Sequence, residues 1–324
     1  MTTLRAVIRG YGHYLPARVV ENAEFEKTLE TNDAWIRTRT GIERRHFAAE
    51  GETTSQLGSK AALAALEDAN IGADDVDALI LATSTADLTF PSAATMVQAE
   101  IGMSNGFAFD LQAVCAGFAY AMTTANSLIA SGQAQRVLVI GAETFSRLMD
   151  WSDRSTCVLF GDGAGAVLLE ARNAKGTPQD RGILAAEIHS DGRYKDILYV
   201  DGGVSTQSTG MLRMQGKEVF RHAVEKLAGT ARTTLAKAGL TPSDIDWIVP
   251  HQANLRILTA TADRLDVPME KVVVTVQDHG NTSAASIPLA LSVAHADGRL
   301  KEGDLVVTGA IGGGLAWGSV VFRV

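Results

Sequence analysis

A series of short, almost unbroken apolar runs constrains this chain more than any other feature. Residues 78–83, 106–109, 136–141, 164–169, 246–250, 271–276, 304–309 and 319–322 read as strands. Apolar and polar residues do not alternate within them, so both sheet faces are expected to lie under helices. The intervening segments carry helical periodicity. Residues 54–70 keep Ala62, Leu63, Leu66 and Ala69 on one stripe, and 216–238 turn Val219, Val224, Leu227 and Leu235 inward. Strands alternating with helices predict an α/β architecture.

The chain also resembles itself. Ile71-Gly-Ala-Asp-Asp-Val-Asp is echoed by Leu240-Thr-Pro-Ser-Asp-Ile-Asp, Val137-Leu-Val-Ile-Gly-Ala by Leu305-Val-Val-Thr-Gly-Ala, and Gly165-Ala-Val-Leu-Leu by Gly318-Ser-Val-Val-Phe. Each match is weak alone. Three in one order suggest a duplicated unit, and a period near half the chain excludes a solenoid of short repeats. A polar stretch at 171–178 suits the junction, so the expected halves are 1–172 and 173–324, with a site shared between them.

Other classes fall away on charge and cysteine usage. A formal net charge of −8 gives no general attraction to nucleic acid or an anionic membrane. Two cysteines, Cys115 and Cys157, with no CxxC, make neither a disulfide framework nor a zinc site, and no metal is expected. The first residues have too short an apolar run for a signal peptide, and no run approaches the ~18 apolar residues of a membrane span. The expected location is the cytoplasm.

The segment 107–122 predicts a strand, a short turn and a small-residue helix beginning near Cys115. A thiol there faces unpaired N–H groups and the positive end of the helix dipole, both of which favour thiolate. A small buried residue is the rival reading for a lone thiol. Cys157, in the strand-like run Ser155-Thr-Cys-Val-Leu-Phe, takes that second reading. Of the 7 histidines, His46 and His222 read as surface or cap residues. His251 instead follows Trp247-Ile-Val-Pro at the C-terminal end of a buried strand, where α/β proteins place their sites. Asn281, within His279-Gly-Asn-Thr-Ser, follows the strand expected at 271–276. The glycine run 312–314 suits a backbone N–H offered to an oxyanion, and Phe160-Gly-Asp-Gly-Ala-Gly-Ala reads as a tight turn before a strand.

With these residues in place, the chain resembles the β-ketoacyl-acyl-carrier-protein synthase III family, the initiating condensing enzymes of type II fatty-acid synthesis. The resemblance spans essentially the whole chain. It rests on Asp33-Ala-Trp-Ile-Arg-Thr-Arg-Thr-Gly-Ile, Phe90-Pro-Ser-Ala, Cys115-Ala-Gly-Phe, the run from Phe160, His251-Gln-Ala-Asn-Leu-Arg, Gly280-Asn-Thr-Ser-Ala-Ala-Ser and Gly312-Gly-Gly. It implies a homodimer with the five-layered αβαβα thiolase-like fold built from two duplicated halves, and no cofactor beyond the coenzyme A thioester substrate.

Residue roles come from the same resemblance. Cys115 takes the acyl group from acyl-coenzyme A, with acetyl the expected primer. The N–H groups of Cys115 and Gly313 form an oxyanion hole. His251 and Asn281 hold malonyl-acyl carrier protein while it decarboxylates. Trp35, Arg39, Arg154 and Asn254 match coenzyme A and pantetheine contacts. Phe90 and Phe160 match the acyl pocket, with Phe90 reaching toward the partner subunit; Phe145 and Leu198 are further pocket candidates. Lys217, Arg221 and Arg256 match the patch that docks the carrier protein, although a solvated helix face explains these three as well.

Two positions depart from the pattern. Asp263 stands where a second basic residue is common, and Ile311 where an aromatic residue often precedes the glycines, which bear on carrier docking and on pocket shape. Among rivals, a thiolase would need a second cysteine near the glycine run. Hydroxymethylglutaryl-coenzyme A synthase would want a glutamate where Ser84 stands. Chalcone-synthase-like enzymes keep the Cys, His and Asn but usually run longer. A papain-type hydrolase shares the residue order without its flanking signature, and a non-catalytic scaffold would not need all three residues intact.

Overall fold

The computed structural model describes residues 3–324. A five-stranded sheet is formed by β1 (Thr3–Tyr14), β2 (Ala78–Ala82), β3 (Phe107–Leu111), β4 (Arg136–Thr144) and β5 (Asp162–Ala174), in the order β1-β5-β4-β2-β3. A four-stranded sheet follows from β6 (Gly182–Ser190), β7 (Trp247–Pro250), β8 (Leu305–Gly312) and β9 (Ala316–Arg323), in the order β7-β8-β9-β6. In each sheet a parallel pair, β2/β4 or β7/β8, continues into two antiparallel neighbours. The three sequence echoes fall at matching positions: β2 answers to β7, β4 to β8 and β5 to β9.

Each sheet has buried faces because helices cover both. From the chain start they are α1 (Asp33–Thr40), α2 (Thr54–Ala69), α3 (Ala93–Glu100), α4 (Gly117–Ala130), α5 (Gly216–Lys237), α6 (Leu255–Leu265) and α7 (Ser286–Ala296). Helices α2 and α3 pack on the outer face of the first sheet, and α5 packs with α6 outside the second. Helices α4 and α7 touch strands of both sheets, forming the middle of five layers. Their sequences explain the placement. Phe118, Ala119, Ala121, Met122 and Ala125 in α4, and Ile287, Leu289, Ala290 and Leu291 in α7, are all buried. Helix α7 is apolar almost all round and has no face to give to water, while α4 buries its apolar side and leaves Ser127 exposed.

Local signals set the boundaries. Thr53 and Gln56 close a capping box at the start of α2, while Asn254 caps α6 by accepting from the Ile257 N–H at 3.0 Å. Several expectations are corrected. Residues 271–276 form no strand: only Val272 bridges to Ile248, and a one-turn helix follows at Val276–His279. The buried Gln252 amide replaces the ladder there, donating to Val273 C=O and accepting from Thr275 and Val276 N–H.

Cys157 lies in turns, since Asp153 gathers Ser155, Thr156 and the Cys157 N–H around itself. The run from Phe160 is extended, because Asp162 and Gly163 already pair with Thr144 and Glu143. Residues 171–174 complete β5, so the polar junction begins inside a strand. Leu63 is 48% exposed, off the buried stripe, whereas His222 is buried with its ring 4.4 Å from that of Tyr194.

Candidate active site

The chain enters the site through strained turns. Val114, a β-branched residue, sits at φ +50° just before Cys115, and Ser283 sits at φ +50° just after Asn281. Left-handed backbone at such residues is costly and persists where packing over-determines it. The turn at Val114 brings Cys115 to the short 3₁₀ segment Val114–Ala116, which leads directly into α4. Gly312 packs against that turn; a Cβ there would lie 2.7 Å from the Cys115 N atom. The next glycine, Gly313, faces the Leu198 carbonyl instead.

His251 leaves the end of β7 with its N–H on the Gly309 carbonyl, fixing it beside β8. Its Nδ1 lies 2.6 Å from Ser286 Oγ, which also accepts from the Gln252 N–H at 3.2 Å. With that N–H donating to it, the Ser286 hydroxyl is free to donate to Nδ1, and this network assigns the ring proton to Nε2. Burial drives the imidazole pKa down to about 3, so the neutral form holds at physiological pH.

Asn281 is oriented by a similar constraint. Its Oδ1 accepts from the Ser283 N–H at 2.9 Å, which leaves the NH₂ end available. Its backbone bridges to Phe160 by hydrogen bonds to Leu159 C=O and from Gly161 N–H. Gly280, at φ +65°, has no room for a side chain beneath it: a Cβ would meet Arg45 Cβ and Leu159 O at 3.0 Å. Arg45 is fully buried and braces this loop from below, bonding Val20 C=O, Asn22 Oδ1 and Val158 C=O.

Cys115, His251 and Asn281 are 4%, 3% and 6% exposed, and all three line one cavity of about 420 Å³. Arg39, Phe160, Leu198, Lys217, Asn254 and Arg256 also line it. A second cavity of about 1060 Å³ runs past Val114, Phe145, Leu148, Leu212 and Gly313 and shares Leu198 with the first. The Phe145 and Phe160 rings stack 5.0 Å apart, one lining each cavity. The thiol differs from its sequence reading. A helix does begin just beyond it, yet burial outweighs the helix start and pushes the Cys115 pKa up to about 12.

The remaining expected residues are distributed around this centre. The Arg39 and Arg154 guanidinium carbons lie 4.7 and 5.1 Å from the Trp35 ring centroid. Asn254 has its Oδ1 committed to the α6 cap, leaving its NH₂ for the cavity. Phe90 is 82% exposed and lines neither cavity. Lys217 and Arg256 stand at the cavity, whereas Arg221 is paired with Glu218 at 2.6 Å. Sequence reasoning missed Ser286, Gln252, Arg45 and Glu143. The Arg44-Arg45-His46 string reads as surface, and an acid at the end of an apolar strand gives no sign of its depth.

Comparison with known proteins fits this geometry. Residues 109–192 match the family described as 3-oxoacyl-[acyl-carrier-protein] synthase III, and residues 235–324 match its C-terminal family. The beta-ketoacyl-[acyl-carrier-protein] synthase III of Ruegeria pomeroyi is 74% identical over 319 residues, covering 98% of this chain and 99% of its own. The chain belongs to the β-ketoacyl-acyl-carrier-protein synthase III family. It is a condensing enzyme of acyltransferase type with the thiolase-like fold. The synthase III of Rhodobacter capsulatus is 73% identical over 322 residues, 99% of each chain. Among solved structures, the synthase III of Aquifex aeolicus superposes with TM-score 0.93 at 46% identity, over 98% of this chain and 100% of that one. A priming β-ketosynthase of the R1128 polyketide pathway does so with TM-score 0.92 at 36% identity, over 99% and 97%. Among the described residues, no helix is long and apolar enough to cross a membrane.

Proposed function

We propose that this enzyme condenses an acyl-coenzyme A primer with malonyl-acyl carrier protein, starting type II fatty-acid synthesis through an acyl-Cys115 intermediate. The observation that carries the reading is the convergence of Cys115, His251 and Asn281 on one cavity. The Cys115 sulfur attacks the primer thioester, and the tetrahedral oxyanion is held by the N–H groups of Cys115 and Gly313. Coenzyme A then leaves. Malonyl-acyl carrier protein enters the same cavity, and its thioester carbonyl takes hydrogen bonds from His251 Nε2–H and the Asn281 NH₂. Both donors are neutral, so they stabilise the negative charge that develops as carbon dioxide leaves without trapping it as an ion pair. The enolate attacks the acyl thioester, Cys115 is released, and the β-ketoacyl-acyl carrier protein departs. No step calls for a cofactor or metal.

The primer reading is a short one, acetyl, because the stacked Phe145 and Phe160 rings stand between the small cavity and the larger one. Trp35 with Arg39 and Arg154 suits an adenine nucleotide: an aromatic face flanked by two cations matches a base and its phosphates. Asn254 lines the same cavity as Arg39 and Cys115, and its uncommitted NH₂ suits a pantetheine amide. For the acidic carrier protein, Lys217 and Arg256 are the better placed cations, and Arg221 must first leave Glu218. A large aromatic ring as exposed as Phe90 favours a homodimer in which the partner covers it. The halves 1–172 and 173–324 then supply the thiol and the two donors respectively, in a cytoplasmic enzyme.

The test is intact mass spectrometry of wild type and Cys115→Ala after incubation with a panel of acyl-coenzyme A thioesters, before and after malonyl-acyl carrier protein is added. Wild type alone should gain an acyl mass, acetyl most readily, and discharge it as β-ketoacyl product. Failure of every thioester to modify Cys115 would sink the mechanism.

A further inference from the structure

Behind the thiol lies a buried group of polar atoms that the steps above leave unused. Glu143, near the end of β4, has no solvent exposure. Its Oε2 accepts from Thr85 Oγ1 at 2.7 Å, the Ser84 N–H at 3.1 Å and Thr83 Oγ1 at 3.2 Å. Its Oε1 has no partner, and neither have the buried hydroxyls of Ser84, Thr282 and Ser283. No cation pairs with it among the described residues. A buried polar atom left without a partner is destabilising, so four such atoms call for a reason.

Ser283 supplies a connection. The short turn it opens, Ser283–Ala285, packs against both the Cys115 turn and β4, the strand that carries Glu143, and its buried hydroxyl has no partner at rest. We propose that Glu143 takes the Cys115 proton through the Ser283 hydroxyl as the acyl-enzyme forms, and returns it as the β-ketoacyl product leaves. This rests on the condensation reading above.

The proton inventory closes. Cys115 gives its proton to Ser283 Oγ as Ser283 passes its own to the Glu143 carboxylate, and the thiolate displaces coenzyme A as its thiolate, which takes a proton from solvent. After decarboxylation the enolate expels the Cys115 thiolate, and the Glu143 carboxyl reprotonates it by the reverse route. Glu143 acts through Ser283 and so is a positioning residue that stores the proton. The alternative base, His251, is engaged by Ser286 and held neutral by burial. Burial pushes the Glu143 pKa up to about 7, where it can accept and release a proton at working pH.

The other titratable groups around Glu143 have separate duties. Asp162 on β5 binds Ala48 and Ser146 N–H, and Asp87 after β2 binds Ser55 N–H. The experiment is the pH dependence of single-turnover acylation, read by intact mass, in wild type, Glu143→Gln, Glu143→Asp and Ser283→Ala. Wild-type acylation should fall as pH drops below about 7, with the ionisation of Glu143. Glu143→Gln and Ser283→Ala should lose that limb and acylate roughly 100-fold more slowly on the plateau, while Glu143→Asp recovers part of the rate and keeps the limb.

Acylation in Glu143→Gln at wild-type rate and with the wild-type profile overturns the proposal. Equal losses in Gln and Asp with an unchanged profile do so too, by making the role structural. Should Glu143→Gln fail to fold, Ser283→Ala decides alone: a retained limb overturns the relay and a lost one supports it. A wild type that never acylates removes the condensation reading and the relay with it, whereas an acylating wild type beside an indifferent Glu143→Gln removes the relay only.

Discussion

Ser286 has one oxygen and two duties at the His251 ring. It accepts from the Gln252 N–H and fixes the imidazole so that Nε2 carries the proton. Ser286→Ala removes that choice of tautomer without touching the thiol. Decarboxylation of malonyl-acyl carrier protein should slow by roughly 10-fold or more, in line with ~1.5 kcal/mol for a buried hydrogen bond. Acylation of Cys115 should stay near wild type. Equal losses in both half-reactions would refute the assignment. The same ring sets a pH expectation. A buried imidazole with pKa about 3 stays neutral throughout the working range. Carbon dioxide release from pre-acylated enzyme in a single turnover should therefore be flat from pH 8 to pH 5, and a fall near pH 6 would mean that His251 titrates normally.

At the scale of elements, two loops must be held in mutual register, and one amide does much of it. Gln252 Nε2 donates to Pro250 and Val273 carbonyls, and its Oε1 accepts from Thr275 and Val276 N–H, so all four bonding positions of the side chain are used. Gln252→Leu would bury those four backbone groups unpartnered, for a loss of ~3 kcal/mol or more. Thermal melting should show a clear drop in Tm, and the surviving folded protein should lose decarboxylation before acylation, since the His251 and Asn281 loops drift apart. An unchanged Tm would mean water substitutes freely. The elements themselves were largely legible: the cores of seven of the eight expected strands, α2, α5 and the helix start after Cys115 follow from apolar runs and periodicity. The failure at 271–276 is physical. A valine run reads as a strand, but there a side chain from another loop takes the place of the neighbouring strand. His251 and Asn281 could be picked out at loop exits, whereas the groups behind them could not. Burial of Glu143 and Arg45 is decided by long-range packing, and the high thiol pKa follows from the same enclosure.

Over the whole molecule, a site built from buried titratable groups leaves its mark on stability. His251 and His279 have pKa values depressed by burial to about 3 and about 4, so the unfolded chain binds more protons than the native one below about 6.5. Their contribution is present above that pH and is lost as pH falls toward 4. Glu143 has the opposite sign. Its pKa is raised, so the native state binds more protons than the unfolded chain between the ordinary carboxyl range and about 7, and stability from this group is lost as pH rises through that window. At pH 8 the ionised, unpaired carboxylate costs ~3 kcal/mol relative to its protonated form, by the free energy of a shift of that size. Glu143→Gln keeps the shape and removes the charge. The variant should therefore gain stability relative to wild type at pH 8, and that advantage should shrink by ~2–3 kcal/mol at pH 5, where the native glutamate is already neutral. Denaturant melts of the two proteins at both pH values measure it directly. A difference that does not change with pH would mean that Glu143 does not titrate in this window, and the enzyme would then hold no proton there for the thiol. A difference that shrinks as described means the fold carries an unfavourable buried charge at neutral pH, which is the stability–activity conflict expected where a reactive group has been placed.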